Sequence, residues 1–379
     1  MKYGMAVIGF VVGAVTANAG PRVGSMVALD DVQSESARFR VVQVVSGLEH
    51  PWALAFLPDG RVLITERPGR LWVMEGEAIR EVDGVPAVRA AGQGGLLDVI
   101  AHPRFTDNQV IYLSYSANYG EGFGTRVARA KLVDESLRDL QVLFEMQPPG
   151  NGPVHFGSRF AFDADGYLFV TLGERGDRDL SQRLDAHHGK VIRLHDDGRV
   201  PADNPFIGTD GAHPEIYSFG HRNPQGLIVD ATSGLLWLHE HGPRGGDALH
   251  IVRAGLNYGW PVATYGREYH GPEIGVRPDQ REDLVQPIIH WTPSIAPCGL
   301  TQMRGGNFSG WEGNLFAGAL IQQHIRRIVI RGKAVVHQEE LLRERFGRIR
   351  EVKMGLDGNL WFATDAPDGG VFRIEPVTD

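Results

Sequence analysis

Pro51 to Met74 reads "PWALAFLPDGRVLITERPGRLWVM", two alternating apolar runs joined at Asp59-Gly60. Period-two alternation buries one face of a strand, and an Asp-Gly step supplies the positive φ that a hairpin turn requires. The pattern recurs as "FAFDADGYLFVTLGERGD" around Asp165-Gly166, "GLIVDATSGLLWLHEHG" around Ser233-Gly234 and "EVKMGLDGNLWFATD" around Asp357-Gly358. Weaker copies are "LLDVIAHPRFTDNQVIYLSYS" and "FSGWEGNLFAGALIQQHIRRIVI". The units are spaced roughly 45–80 residues apart, in the manner of propeller blades. Strands without intervening helical periodicity exclude a doubly wound sheet. The expectation is an all-β, six-bladed β-propeller over residues 36–379, with "FRVVQVV" near the start pairing with "GVFRIEP" near the end to close the ring. A β-sandwich or a double domain is the competing architecture. Only "QEELLRERFGRIR" suggests a helix.

The chain has 379 residues, with 49 glycines and 22 prolines spread along it, as many tight turns between short strands require. A net charge of −8 and the lack of any Lys/Arg-rich run argue against nucleic acid, whose phosphates call for a clustered basic face. Lys2, an apolar stretch from Met5 to Val15 and Ala17-Asn18-Ala19 form the pattern of a secretory signal peptide over residues 1–19. The apolar stretch falls short of the roughly 20 residues of a membrane span, so the mature protein is expected in the periplasm or outside the cell without a span. One cysteine, Cys298, leaves no internal disulfide to form.

The loops of a propeller converge at the mouth of its channel, so chemistry is sought at the ends of the repeats. His155 in "GPVHFGSRF" precedes a strand and, if neutral, is a natural general base. Glu174, placed to return beside it, is suited to orient the imidazole. Arg222 and Asn223 in "FGHRNPQG" offer a fixed charge and amide groups, although Asn-Pro also opens turns. "HEHGPRGGD", from His239 to Asp247, has no apolar side chain. His239 and His241 lack a third zinc ligand at standard spacing, whereas Gly242 and Pro243 expose main-chain carbonyls suited to a hard cation such as calcium. Gln93, between glycines, allows close approach of a flat ligand; Arg348 and Arg350 share a strand face that suits a polyanion. Tyr269 offers aromatic surface of the kind that more often packs than binds.

Taken in order, "GQGGLLDV", "HFGSR", "DDGRVPADNPF", "RNPQG", "EHGPRGGD" and "NYGWP" resemble the soluble aldose sugar dehydrogenases that use pyrroloquinoline quinone (PQQ), relatives of soluble quinoprotein glucose dehydrogenase. The resemblance covers nearly the whole mature chain. It implies a six-bladed propeller that oxidises aldose sugars at C1 to lactones. His155 would be the general base as hydride passes to the quinone C5, with Glu174 supporting it. Arg222 and Asn223 would meet the quinone oxygens, and Gln93, Tyr269, Arg348 and Arg350 would contact the cofactor. Gly242 and Pro243 would ligate Ca2+, with Asp247 an acid close by. Electrons would leave to a quinone or cytochrome acceptor. There are departures: His241 stands where the relatives have glutamine, Ala248 replaces an acid of a second calcium site at which Tyr258 is retained, and Ile321 replaces a cofactor-binding lysine that Gln322 or Arg326 would have to replace. A sorbosone-type aldehyde dehydrogenase and a propeller that binds without catalysis are the alternative functions.

Overall fold

The computed structural model describes residues 20–377, so the expected signal peptide lies outside the described residues. The chain begins with β1 (Arg22–Gln33) and β2 (Arg38–Leu48). Blade one follows as β3 (Pro51–Phe56), β4 (Val62–Glu66), β5 (Leu71–Glu75) and β6 (Ala78–Glu81). Blade two is β7 (Leu96–Ala101), β8 (Val110–Tyr119), β9 (Gly122–Val133) and β10 (Ser136–Glu145). Blade three is β11 (Gly157–Phe162), β12 (Leu168–Leu172), β13 (Lys190–Leu194) and β14 (Ile216–Phe219). Blade four is β15 (Pro224–Val229), β16 (Leu236–Glu240), β17 (Asp247–Val252) and β18 (Ile289–Trp291). Blade five is β19 (Pro297–Gln302), β20 (Leu315–Ala319), β21 (Ile325–Arg331) and β22 (Ala334–Leu341). Blade six joins β23 (Ile349–Met354), β24 (Leu360–Thr364) and β25 (Gly369–Pro376) to β2 and β1 in one five-stranded antiparallel sheet.

Each of the six repeat units falls in its own sheet, and the two ends of the chain close the ring as expected, with Val41 opposite Ile374. The ring is built on the innermost strands: β3, β7, β11, β15, β19 and β23 each touch the next, and β23 touches β3. Apolar side chains on both faces of a blade are buried against its neighbours. Leu54 and Ile64 meet Trp361 between blades one and six, for example, and Phe169 meets Leu238 between blades three and four. At the turns after the innermost strands, Gly60 and Gly166 take φ of 92° and 83°, and a Cβ at either would meet nothing. Glycine is needed there for its backbone angle.

Two expectations are corrected. The propeller begins ahead of residue 36, because β1 pairs along β2 as an outermost fifth strand. "QEELLRERFGRIR" forms no helix: its first part continues β22, where Glu339 and Glu340 lie opposite Arg327 and Arg326. The corresponding ion pairs, Arg327–Glu339 at 2.7 Å and Arg326–Glu340 at 2.8 Å, satisfy across the sheet the charges that suggested a helical surface. No helix among the described residues is long and apolar enough to cross a membrane.

Candidate active site

The Asp-Gly turns follow the innermost strands and gather at one end of the ring; residues that precede those strands gather at the other. That second end brings Gln93, His155, Arg222, Asn223 and Arg348 together from four blades. Every innermost strand also carries a register shift near its start, which turns Trp52, Arg159, Gln225 and Arg350 toward the axis. These side chains make a floor. Arg159 is ion-paired to Glu351, donates from Nε to the Gln225 carbonyl at 2.9 Å, and lies 4.0 Å from the Trp52 ring centroid. Above it opens a cavity of about 240 Å³, whose wall includes Trp52, Gln93, Asn223, His241, Arg348 and Arg350.

His155 stands beside this cavity, since the next residue, Phe156, forms part of the wall and the His155 backbone N–H donates to Gln93 Oε1 at 2.8 Å. Its Nδ1 lies 2.6 Å from Glu174 Oε1. Glu174 is 2% exposed and is itself oriented by the backbone N–H of Gly176, and its own N–H donates to the Arg222 carbonyl at 2.9 Å. An ionised carboxylate accepts, so the proton belongs on Nδ1 and Nε2 keeps its lone pair. Burial holds the imidazole below the ordinary histidine range; the bond to Glu174 opposes this and the Arg222 charge reinforces it. The ring is therefore neutral at physiological pH.

Asn223 is pinned, with Oδ1 accepting from the Gly157 N–H and from Gln225 Nε2, each at 3.2 Å. Arg222 is not in the cavity wall. Its Nη1 donates to the Gly242 carbonyl at 2.8 Å, its guanidinium lies 5.2 Å from the Trp260 ring centroid, and its buried Nε has no partner. Arg348 and Arg350 do line the cavity, but both face a residue that the motif search missed, Asp365. Arg350 Nη2 donates to it at 2.6 Å, Arg348 lies at 3.5 Å, and His50 Nδ1 meets its other oxygen at 2.7 Å. Burial works to raise the Asp365 carboxyl, but Arg350 and His50 hold it well below the ordinary carboxylate range. A readable signal existed: Glu66, Glu174, Glu240 and Asp365 all lie at the end of the second strand of a blade or within two residues of it, in "LITE", "TLGE", "LHE" and "FATD".

The 239–247 loop holds itself together first. His239 is fully buried with Nε2 2.8 Å from the Gly299 carbonyl, and His241 sets Nε2 2.8 Å from the Pro297 carbonyl while Nδ1 faces the Asn223 amide at 3.4 Å. These two histidines bind different parts of the protein and form no metal pair. Asp247, expected as an acid close to the calcium site, is fully buried and accepts from the backbone of Gly242, Ile295 and Ala296 and from the Ser294 hydroxyl. It organises the loop. The Tyr258 hydroxyl is engaged within its blade, donating to the Ile251 carbonyl and accepting from the Arg253 N–H. Tyr269 and Pro243 line a second, open cavity of about 680 Å³ that adjoins the first through Ile321, which lines both.

Comparison with known proteins identifies the family. The glucose / sorbosone dehydrogenase family matches residues 48–373. Aldose sugar dehydrogenase YliI of Escherichia coli is 42% identical over 339 residues, 87% of this chain and 91% of its own. The structure of the soluble aldose sugar dehydrogenase of Escherichia coli in the apo form superposes with a TM-score of 0.86 at 40% identity, covering 89% of this chain and all of that one. The PQQ-bound form of aldose sugar dehydrogenase from Streptomyces coelicolor superposes with a TM-score of 0.73 at 26% identity, covering 94% of this chain and 100% of that one. Fold, closure of the ring and the extent of these matches lead to one assignment: the chain belongs to the glucose / sorbosone dehydrogenase family and is an oxidoreductase.

Proposed function

We propose that the protein oxidises aldose sugars at C1 to lactones, with PQQ as the hydride acceptor and His155 as the general base. The observation that carries this reading is one neutral imidazole, fixed through Nδ1 by Glu174 and with no protein partner on Nε2 among the described residues, whose backbone N–H is held by Gln93 of a cavity walled by arginines. Its residues suit a planar polycarboxylate: Arg348 and Arg350 for carboxylates, Gln93 and Asn223 for ring oxygens, and a buried Arg350 Nε that lacks a partner. When bound, PQQ supplies an acceptor for an electron pair.

In the step, the anomeric hydroxyl would give its proton to His155 Nε2 while the C1 hydrogen leaves with its electron pair as hydride and the C1–O bond becomes a carbonyl. Glu174 stabilises the imidazolium that forms. The Gly242 and Pro243 carbonyls would hold calcium, which supplies Lewis-acid polarisation when bound. Asp247 is spent inside the loop and the Gly242 carbonyl already accepts from Arg222, so the main-chain carbonyls alone would not fill the ion's shell. Export to the periplasm and transfer of electrons to a quinone or cytochrome acceptor complete the proposal.

Reconstitution tests it. The purified protein with calcium and PQQ is expected to reduce an artificial electron-accepting dye when glucose or another aldose is added, with lactone as product. Turnover of an α-keto aldehyde in preference to every aldose would replace the substrate class, and binding of PQQ without any turnover would favour the binding-only propeller.

A further inference from the structure

Arg67 also lines the 240 Å³ cavity, and sequence motifs gave no reason to single it out. It follows Glu66 at the end of β4, just as Arg175 follows Glu174 at the end of β12. The two arginines are used differently. Arg175 is folded inward: its Nε donates to the Val154 carbonyl at 3.0 Å and its guanidinium covers the Phe156 ring at 3.6 Å. Arg67 uses only Nη1 of its side-chain donors, toward the Gly92 carbonyl at 3.0 Å, and makes no ion pair among the described residues.

The charges around the cavity do not balance. Arg67, Arg348 and Arg350 line it, and Asp365 is the one acid among the lining residues. Asp365 is already shared between Arg350 and Arg348 and receives His50 on its other oxygen. One guanidinium is therefore left without a counterion and another has a buried Nε without an acceptor. Burial chiefly depresses the Arg67 pKa; Asp365 opposes this, and Arg350 and Arg348 add to it by smaller amounts, so an anion entering the cavity would favour the charged guanidinium. The two side chains expected to supply an extra positive or polar contact near Ile321 are used elsewhere: Arg326 pairs with Glu340, and Gln322 Nε2 faces the Ser294 carbonyl at 3.5 Å.

We propose that Arg67 is a third cationic contact for the cofactor's carboxylates, forming with Arg348 and Arg350 a clamp of three guanidiniums on the cavity wall. This rests on the PQQ reading above. Its function is binding.

Calorimetric titration of PQQ into the calcium-supplemented protein tests it without recourse to activity. Arg67→Gln, which can keep a donor for Gly92, is expected to weaken PQQ about 10- to 100-fold, the usual effect of losing a charge-assisted hydrogen bond. Arg67→Lys should lose less, and Arg326→Gln should bind as the wild type does. The neutral trimethyl ester of PQQ should bind wild type more weakly, and Arg67→Gln should weaken it no further. Thermal melts of both Arg67 variants establish that they fold. Wild-type affinity for PQQ in a folded Arg67→Gln protein would overturn the clamp alone. Absence of PQQ binding by wild type would overturn the cofactor reading together with it.

Discussion

Blades three and four carry the same device and use it differently. In each, a histidine preceding the innermost strand sets Nδ1 against a glutamate that lies 19 residues later, at or just past the end of the second strand: His155 with Glu174 at 2.6 Å, His221 with Glu240 at 3.1 Å. In each, the second carboxylate oxygen accepts a backbone N–H, from Gly176 or from Arg222. The difference lies at the other ring nitrogen. His221 Nε2 meets the Ser218 hydroxyl at 2.9 Å, its ring stacks on Tyr258 at 4.6 Å, and the side chain is fully buried. His155 keeps 15% of its side chain exposed, and its Nε2 has no protein partner among the described residues. Ser218, His221 and Glu240 even have the connectivity of a hydrolytic triad, but no substrate can reach them. A paired imidazole becomes chemistry only when its second nitrogen is left vacant beside a cavity.

The largest predicted effect breaks the blade-three pair at its functional end. His155→Gln should lower kcat by about 10²- to 10⁴-fold, the usual contribution of a general base, while calorimetry finds PQQ affinity within a few-fold of wild type. Acid acts on buried histidines throughout the ring. Burial depresses His155, His221 and His241, and takes His239 and His324 to about 4 and His188 to about 3, from an ordinary 6.5. The unfolded chain therefore binds more protons once pH falls below about 6.5, so this part of the stability is complete above that pH and declines toward the folded-state values. Tm measured from pH 7.5 downward should drop; a flat profile to pH 5 would contradict the burial of neutral rings.

Breaking the blade-four pair should show in stability. Glu240→Gln leaves one acceptor oxygen where His221 and His250 share one and the Arg222 N–H uses the other, and urea unfolding should register a loss of about 1–3 kcal/mol. The smallest change, Ser218→Ala, should cost about 1 kcal/mol and leave turnover as it was, because a vacant nitrogen on a buried His221 still meets no substrate.

Most of the fold was legible because each blade repeats one strand-turn-strand phrase, and the pairing of His155 with Glu174 followed from the hairpin around Gly166. What escaped depends on contacts between distant parts of the chain. β1 has too little buried surface to announce itself, with Met26 and Val27 exposed along its outer edge. Asp365 and Arg67 belong to blades six and one, and only ring closure brings them to one cavity. The 239–247 loop was recognisable as unusual, but its glycines and Asp247 proved to serve its own hydrogen bonds before any ligand.

The central claim is that His155 Nε2 faces the reacting carbon of a sugar held against a quinone in the arginine-walled cavity. A crystal structure with PQQ and a slowly oxidised aldose analogue measures this directly. The account predicts the cofactor's carboxylates at Arg348 and Arg350 and the sugar's C1 hydroxyl within about 2.6–3.2 Å of His155 Nε2. PQQ bound at another surface, or His155 turned so that Nε2 contacts protein alone, would contradict it.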